Sequence, residues 1–265
     1  METPLADLIL IREAAAVAGQ MAVDLRAAGL ERHTKSDGSP VTNADLAVDA
    51  YLRATLTEAR PDYGWLSEET ADDPLRLSRE RVFIVDPIDG TRAYIRDRPW
   101  WGVSIALVEA GLPIAGVVVA PDRGETFEAT VGGGARLNGK TIAASDTPDL
   151  EGAFMLADLQ MLKHPDWPTP WPEMRVESRN AIAYRLCSVA CGDVDAMFAL
   201  SPKMEWDMAA GDLIAREAGC LVTDHRGRPL AYNRAKPSWP SLVCAGPALH
   251  RLILSRVQPI DLPDE

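Results

Sequence analysis

Arg81-Val82-Phe83-Ile84-Val85-Asp86-Pro87-Ile88-Asp89-Gly90-Thr91 is an apolar, β-branched run that stops at two carboxylates, a proline, a glycine and a hydroxyl. Val82 to Val85 reads as a strand buried on both faces. Asp86 is expected to end it where the backbone leaves the sheet, with Pro87 barring further ladder pairing. Gly90 permits a tight turn that brings Asp89 back beside Asp86, and Thr91 is placed to cap a helix whose N-terminal amides favour a phosphate. Two hard carboxylates beside an anion pocket suit Mg²⁺. Asp-Pro and Asp-Gly are also common turn dipeptides, so the run taken alone reads equally as an ordinary strand-to-loop exit.

The 265-residue chain is long enough to bury a large core, as one α/β unit or as two lobes. Its net charge of -12 argues against general binding to nucleic acid or to an anionic membrane, although local basic pockets stay open. Met1-Glu2-Thr3-Pro4 supplies no basic region before the helical segment, which predicts no signal peptide, and no apolar run is long enough to span a bilayer. Cys187, Cys191, Cys220 and Cys244 are too scattered for a disulfide framework, which fits a reducing cytoplasm. Cys187 and Cys191 share a helix face; without a further Cys or His nearby, packed thiols outweigh half a zinc site. His33, His164, His225 and His250 are isolated and show no ligand or triad spacing.

Upstream of the opening run, Leu5 to Leu30 is Ala-rich and apolar at helical spacing, which predicts a long first helix with Gly29 at its exit. Lys35-Ser36-Asp37-Gly38-Ser39-Pro40 reads as a polar loop. Val41-Thr42-Asn43-Ala44-Asp45 opens a second helix to about Ala59, capped by Thr42 or Asn43. Asp45 in its first turn suits the helix dipole. Tyr63 to Ser67 predicts a short strand ending in Glu68-Glu69, a second strand exit that delivers carboxylates. Ligands gather beyond strand ends in α/β sheets, so the two exits can converge. Ala71 to Arg79 reads as a charged, mobile loop.

Downstream, Val103–Val108, Ile114–Val119 and Thr126–Thr130 predict an antiparallel meander, followed by an Asn138-Gly139 hairpin. Gly132-Gly133-Gly134 lacks the Gly-Lys-Ser/Thr of a phosphate loop and reads as turns. From Gly152 a second α/β lobe is expected. It has a strand near Ala153–Leu156, a Trp/Pro-rich loop from His164 to Pro172, and a helix from Ile182 to Cys191. A strand over Ala196–Leu200, a helix from Asp207 to Glu217, strands at Leu221–Thr223 and Leu242–Ala245, and a helix from Pro247 follow. Trp167 and Trp171 either cover a ligand or pin their loop to the body. Asp207 alone reads as an N-cap.

Glu68-Glu69, the Asp86-Pro87-Ile88-Asp89-Gly90-Thr91 run and Trp206-Asp207-Met208-Ala209-Ala210-Gly211, in that order and spacing, resemble the inositol monophosphatase-like superfamily of Mg²⁺-dependent, lithium-sensitive phosphatases. The resemblance covers nearly the whole chain. The Lys35 loop and Val41 to Asp45 also fall where that family has an active-site loop and a Thr-x-x-Asp. It implies an α/β (α+β) layered α/β/α/β/α sugar-phosphatase fold, with the site between an N-terminal lobe, residues 1–150, and a C-terminal lobe, residues 151–265. It further implies a cluster of two or three Mg²⁺ ions, inhibited by Li⁺ and held by Glu68, Asp86, Asp89, Asp207 and the Ile88 carbonyl. Gly90 and Thr91 would bind the phosphate. Thr91, paired with Asp45 and acting with Glu68, would orient and deprotonate the attacking water. Glu69 would stand behind the ligands, and Lys35 would serve the phosphate or a loop-bound metal. A phosphate monoester carries charge that repels hydroxide, so cations held by carboxylates are what such a reaction needs.

The superfamily implies a small phosphorylated substrate without fixing it. Ala199 and Leu200 are apolar where inositol-selective members place a Glu, and Arg185 stands where bisphosphate nucleotidases similarly carry a Lys; a guanidinium suits a second phosphate. Arg185 reads equally as a solvated helix residue. The expectation is a CysQ-type 3'(2'),5'-bisphosphate nucleotidase acting on adenosine 3',5'-bisphosphate, with inositol 1-phosphate hydrolysis as the alternative. A non-catalytic, RNA-associated relative on the same fold is a third reading, disfavoured by the complete acid set. The oligomeric state stays open, a homodimer being one option.

Overall fold

The structure, a computed structural model, describes residues 3–36, 38–165 and 167–262. Met1 and Glu2, Asp37 of the polar loop and Asp166 of the Trp/Pro-rich segment lie outside them. Helix α1 (Pro4–Ala28) starts where the Thr3 hydroxyl accepts the Ala6 N–H and Pro4 supplies a preset φ. It buries Leu8, Ile11, Ala14, Ala15, Ala18 and Ala22. Helix α2 (Asn43–Ala59) is capped by Thr42 as expected, and its buried stripe of Val48, Leu52 and Leu56 lies beside α1 in one core cluster. Both cover one face of a seven-stranded sheet whose order is Gly64–Ser67, Arg81–Asp89, Gly102–Glu109, Leu112–Ala120, Glu125–Thr130, Ala135–Leu137, Lys140–Thr141.

Short helices α3 (Thr91–Ile95) and α4 (Leu159–Leu162) flank the loops. Helices α5 (Ile182–Ala190) and α6 (Glu205–Glu217) form the middle layer, with Leu186, Val189, Met208 and Ile214 buried against Ile84, Val118 and Phe127 of the first sheet. The second sheet runs Arg175–Glu177, Phe154–Leu156, Ala196–Ala199, Leu242–Ala245, Leu221–Thr223. Helix α7 (Pro247–Val257) closes its far face through Leu249, Ile253 and Val257. The layering is therefore α/β/α/β/α. No helix among the described residues is long and apolar enough to cross a membrane.

The first sheet determines where the chemistry falls. Gly64–Ser67 pairs parallel to Arg81–Asp89, so both strands end on one edge, whereas the remaining pairs form the expected antiparallel meander. Several local expectations need correction. The central strand does not stop at Asp86: Asp86 pairs with Ser104 and Asp89 with Gly102, and a bulge between them turns Pro87, which has no N–H to offer, out of the ladder. Gly90, at φ 87, is the N-cap of α3, and Thr91 is its first residue. Asp207 is not a cap either. It sits in the first turn of a helix that begins at Glu205, and its Oδ2 reaches back to the Met204 N–H at 3.2 Å. The segment read as mobile contains a 3-10 turn, Pro74–Ser78, whose Arg76 is buried. Strands Arg32–Thr34 and Pro40–Thr42 pair on either side of the Lys35 loop.

Asp7 of α1 is fully buried, accepting from Arg60 Nε at 2.8 Å, Arg81 Nη1 at 3.0 Å and the Tyr63 hydroxyl at 3.2 Å. Asp7→Ala takes from Arg60 and Arg81 the buried carboxylate that they share. A loss of about 3 kcal/mol in unfolding free energy is expected in denaturant titration, and a loss under about 1 kcal/mol would contradict the account.

His250 of α7 is also buried, its Nε2 lying 2.9 Å from the Thr223 hydroxyl, and burial lowers its pKa to about 4. In the unfolded chain an imidazole takes a proton near pH 6.5, so between those values the unfolded state binds more protons. The stability from a neutral His250 is complete above about pH 6.5 and is lost as the pH falls through 4, by about 2 kcal/mol. His250→Gln should flatten that part of the pH–stability curve; an unchanged slope would contradict the assignment.

Candidate metal centre

The parallel pairing of the first two strands carries their exits to one place. The Glu68 N–H donates to the Val85 carbonyl at 3.3 Å, extending the ladder one step and setting Glu68 beside Asp86. From the other side α6 brings in Asp207. Ligand oxygens of Glu68, Asp86 and Asp207 all lie within 4.8 Å of one another, the one such group of three among the described residues. Asp86 is buried, and its Oδ1 also accepts the Ile88 N–H at 3.0 Å, which fixes its rotamer.

Asp89 is oriented differently from the other three. Its Oδ1 accepts the Ile182 N–H at 2.9 Å and its Oδ2 the Tyr184 N–H at 3.1 Å, so both oxygens touch the first turn of α5. It lines the same cleft, and each oxygen keeps a further lone pair. Gly90 follows in the left-handed region. A Cβ there would fall 2.8 Å from Ala181 Cβ, so glycine meets both the φ and the close approach.

Crowding of like charge perturbs the acids in one direction. Burial, then the Glu68 and Asp89 charges, push Asp86 well above the carboxylate range; burial and then Asp207 do the same to Asp89. Asp207 is pushed up to about 7 by burial and Glu68. Lys35 Nζ donates to Glu68 Oε1 and Glu69 Oε1, both at 2.7 Å. Burial works against its charge, but the two carboxylates outweigh it and hold the ammonium protonated. Glu69, pushed up to about 7 by burial, therefore stands behind Glu68 through their shared lysine. Convergent hard oxygens that repel one another in the absence of a cation are the donor set a divalent ion of the Mg²⁺ kind fits.

Asp45 both starts α2 and meets Thr91. Its Oδ2 accepts from the Thr42 N–H at 2.8 Å and the Thr42 hydroxyl at 2.6 Å, while its Oδ1 accepts the Thr91 hydroxyl at 3.1 Å. Thr91 Oγ1 is also 3.2 Å from the Ile88 carbonyl. Burial raises the Asp45 pKa, against the hydrogen bonds from Thr42 and Thr91 that lower it.

An open cleft of ≈ 790 Å³ is lined by the acids Glu68, Asp86, Asp89, Asp158 and Asp207, by Ala199 and Leu200, and by four cations, Arg92, Arg179, Arg185 and Lys203. Arg185 is not a solvated helix residue. It is 8% exposed, and its Nη2 donates to the Leu156 and Phe198 carbonyls at 2.6 and 3.0 Å. Burial lowers its pKa to about 10, with Asp89 raising and Arg179 lowering it. The Nε atoms of Arg179 and Arg185 are buried without a partner. Trp171 stacks on Phe198 at 5.3 Å and meets Trp167 edge-on, while the Trp167 indole Nε1–H donates to the Met161 carbonyl at 2.7 Å. Neither ring lines the cleft, so both pin their loop. Cys187 is packed in the core, as expected of a thiol rather than a ligand, with Cys191 packed against that core.

Two residues to which the sequence reading gives no role support the site. Asp49, one turn after Asp45 on α2, accepts the Ser67 and Thr70 hydroxyls, each at 2.5 Å, and so brackets Glu68-Glu69 from both sides. Its signal was an acid at i+4 from Asp45 on a helix face otherwise apolar. Glu205, fully buried at the start of α6, accepts the Asn233 and Arg234 N–H groups at 2.6 and 3.1 Å. Nothing local to its sequence marks that contact.

A model described as the inositol monophosphatase family matches residues 6–261. The chain is 32% identical over 244 residues to the Nus factor SuhB of Pasteurella multocida, covering 89% of this chain and 88% of that one. It is 34% identical over 239 residues to a histidinol-phosphatase of Mycobacterium tuberculosis, covering 84% and 86%. The crystal structure of the extragenic suppressor protein suhB from Bartonella henselae superposes with a TM-score of 0.81 at 27% identity, covering 96% of this chain and 99% of that one.

Proposed function

The chain belongs to the inositol monophosphatase family, and from that premise we propose that it is a Mg²⁺-dependent phosphate monoester hydrolase acting on a small phosphorylated alcohol, with inositol 1-phosphate as its reference substrate. One observation carries the reading: the oxygens of Glu68, Asp86 and Asp207 converge within 4.8 Å on a cleft that Thr91, held by Asp45, also lines. Glu68, Asp86 and Asp207, with Asp89 and the Ile88 carbonyl, would hold the metal. Bound Mg²⁺ supplies charge to offset the phosphoryl oxygens and the acidity that turns water into a nucleophile. Gly90 and Thr91 seat the phosphate. The Thr91 hydroxyl would take a proton from the attacking water as it passes its own to Asp45, with Glu68 orienting that water from the other side. Lys35 holds Glu68 and Glu69 in place, and the two halves of the chain, before and after residue 150, enclose the cleft.

A specific observation favours a second reading. Arg179, Arg185 and Lys203 line the cleft together, Arg179 and Arg185 repel each other, and burial lowers the Lys203 pKa, with Asp207 raising it and Arg185 lowering it. A second anionic group on the substrate, as in adenosine 3',5'-bisphosphate, would relieve that repulsion. The relatives reported above give this finer preference no support, and Arg185 has already committed one nitrogen to two backbone carbonyls. The Nus factor name of the SuhB relative raises a partner-binding role without turnover; the retained acid set and the net charge of -12 speak for hydrolysis and against binding RNA.

Phosphate release from inositol 1-phosphate, histidinol phosphate and adenosine 3',5'-bisphosphate, measured side by side with Mg²⁺ and again with Li⁺, tests the reading. The inositol or histidinol ester should be hydrolysed at least as fast as the bisphosphate, with inhibition by Li⁺. A kcat/KM on the bisphosphate about 100-fold higher would move the assignment to the second reading.

A further inference from the structure

Arg76 and Glu205 take no part in the chemistry above, yet both are buried charges next to ligand-bearing segments. Arg76 is 2% exposed. Its Nε and Nη2 donate to the Asp72 carboxylate at 2.6 and 2.9 Å, its Nη1 to Asn233 Oδ1 at 2.6 Å, and its Nη2 also to the Arg234 carbonyl at 2.9 Å. The turn that carries it bears directly on the strand ending at Glu68: a Cβ on Gly64 would fall 3.1 Å from Arg76 Cβ and 3.2 Å from its Cα. On the other side, residues 233 and 234 donate their N–H groups to Glu205, which opens α6 two residues before Asp207. A line of contacts therefore runs from the strand of Glu68, through Arg76 and the loop at 233–234, to the first turn of α6.

An apolar pair could seal that seam without desolvating a guanidinium. What a buried, multiply bonded arginine adds is fixed geometry. We propose that Arg76 is a positioning residue of the metal centre, setting the separation of Glu68 and Asp207 by clamping the turn after Glu68 to the loop on which Glu205 seats α6. The proposal rests on the reading of Glu68, Asp86 and Asp207 as Mg²⁺ ligands. It extends that reading to a residue that touches neither metal nor substrate.

The test is calorimetric titration of Mg²⁺ into wild type, Arg76→Lys, Asn233→Gly and Asn233→Asp, with melting temperatures and KM for inositol 1-phosphate at saturating Mg²⁺ measured alongside. Asn233 sits at φ 57, so glycine keeps its backbone and its N–H bond to Glu205 while removing the acceptor for Arg76; aspartate restores an acceptor. Partners that orient metal ligands are worth about 10- to 100-fold in affinity. Arg76→Lys and Asn233→Gly should raise the Mg²⁺ dissociation constant about tenfold, Asn233→Asp should stay within about twofold of wild type, and KM should not move. Lower melting temperatures with unchanged Mg²⁺ affinity would make the clamp structural only and overturn the proposal. If Arg76→Lys does not fold, the two Asn233 variants decide it. A wild type that takes up no Mg²⁺ would remove the ligand reading and the proposal together, and is told apart because the wild type itself fails.

Discussion

Asp86→Asn should leave the fold standing, raise the melting temperature of the metal-free protein, and lower Mg²⁺-dependent phosphate release by about 10³-fold or more. The first two effects follow from the crowding. Asp86 is buried among Glu68, Asp89 and Asp207, and its pKa is raised because its charge is unwelcome there without a cation. Asparagine keeps an oxygen for the Ile88 N–H and removes one member of the repelling group. The third effect follows from what the charge is for. A metal ion stabilises transition-state charge by several kcal/mol, and about 4 kcal/mol corresponds to 10³ in rate. Melting curves with and without Mg²⁺, beside the rate, check all three. Wild type should gain stability from Mg²⁺ and the variant much less. Normal turnover in Asp86→Asn would remove Asp86 from the ligand set.

Asp45→Asn should act on rate alone. Its amide can keep an oxygen toward Thr42, preserving the start of α2, but then presents an N–H to Thr91 in place of an acceptor. The Thr91 hydroxyl loses the group that takes its proton. General-base losses of this kind run to about 10²- to 10⁴-fold, so kcat should fall in that range while KM stays within about threefold and Mg²⁺ affinity is unchanged. A fall in Mg²⁺ affinity with kcat preserved at saturating metal would make Asp45 a structural helix start and nothing more.

Much of the centre was legible because its signals are local. An apolar strand ending in acids, repeated at Glu68 and Asp86, needs only the period of a strand and the break after it. Thr42 and Asp45 are three residues apart and start α2 as a capping box, which leaves the other Asp45 oxygen for Thr91. What sequence could not supply is contact across the chain. Asp89 spends both oxygens on amides more than ninety residues away, and Arg76 meets Asn233 at a separation of 157. Arg185 illustrates the same limit. Its helical position is evident from sequence, but whether it faces water, a phosphate or a carbonyl depends on how α5 lies over the second sheet, and there it meets Leu156 and Phe198. Pro87 misled in the other direction, since a missing N–H ends a regular ladder but not a bulged one.

The most direct test of the central claim is a Mg²⁺ titration of phosphate release by the EDTA-treated wild type on inositol 1-phosphate. Release should be absent without metal, rise saturably with Mg²⁺, and be accompanied by a rise in melting temperature over the same concentrations. A rate that persists in EDTA, or Mg²⁺ binding that stabilises the protein without phosphate release from inositol 1-phosphate, histidinol phosphate or adenosine 3',5'-bisphosphate, would contradict the assignment of Glu68, Asp86 and Asp207 as a catalytic metal centre.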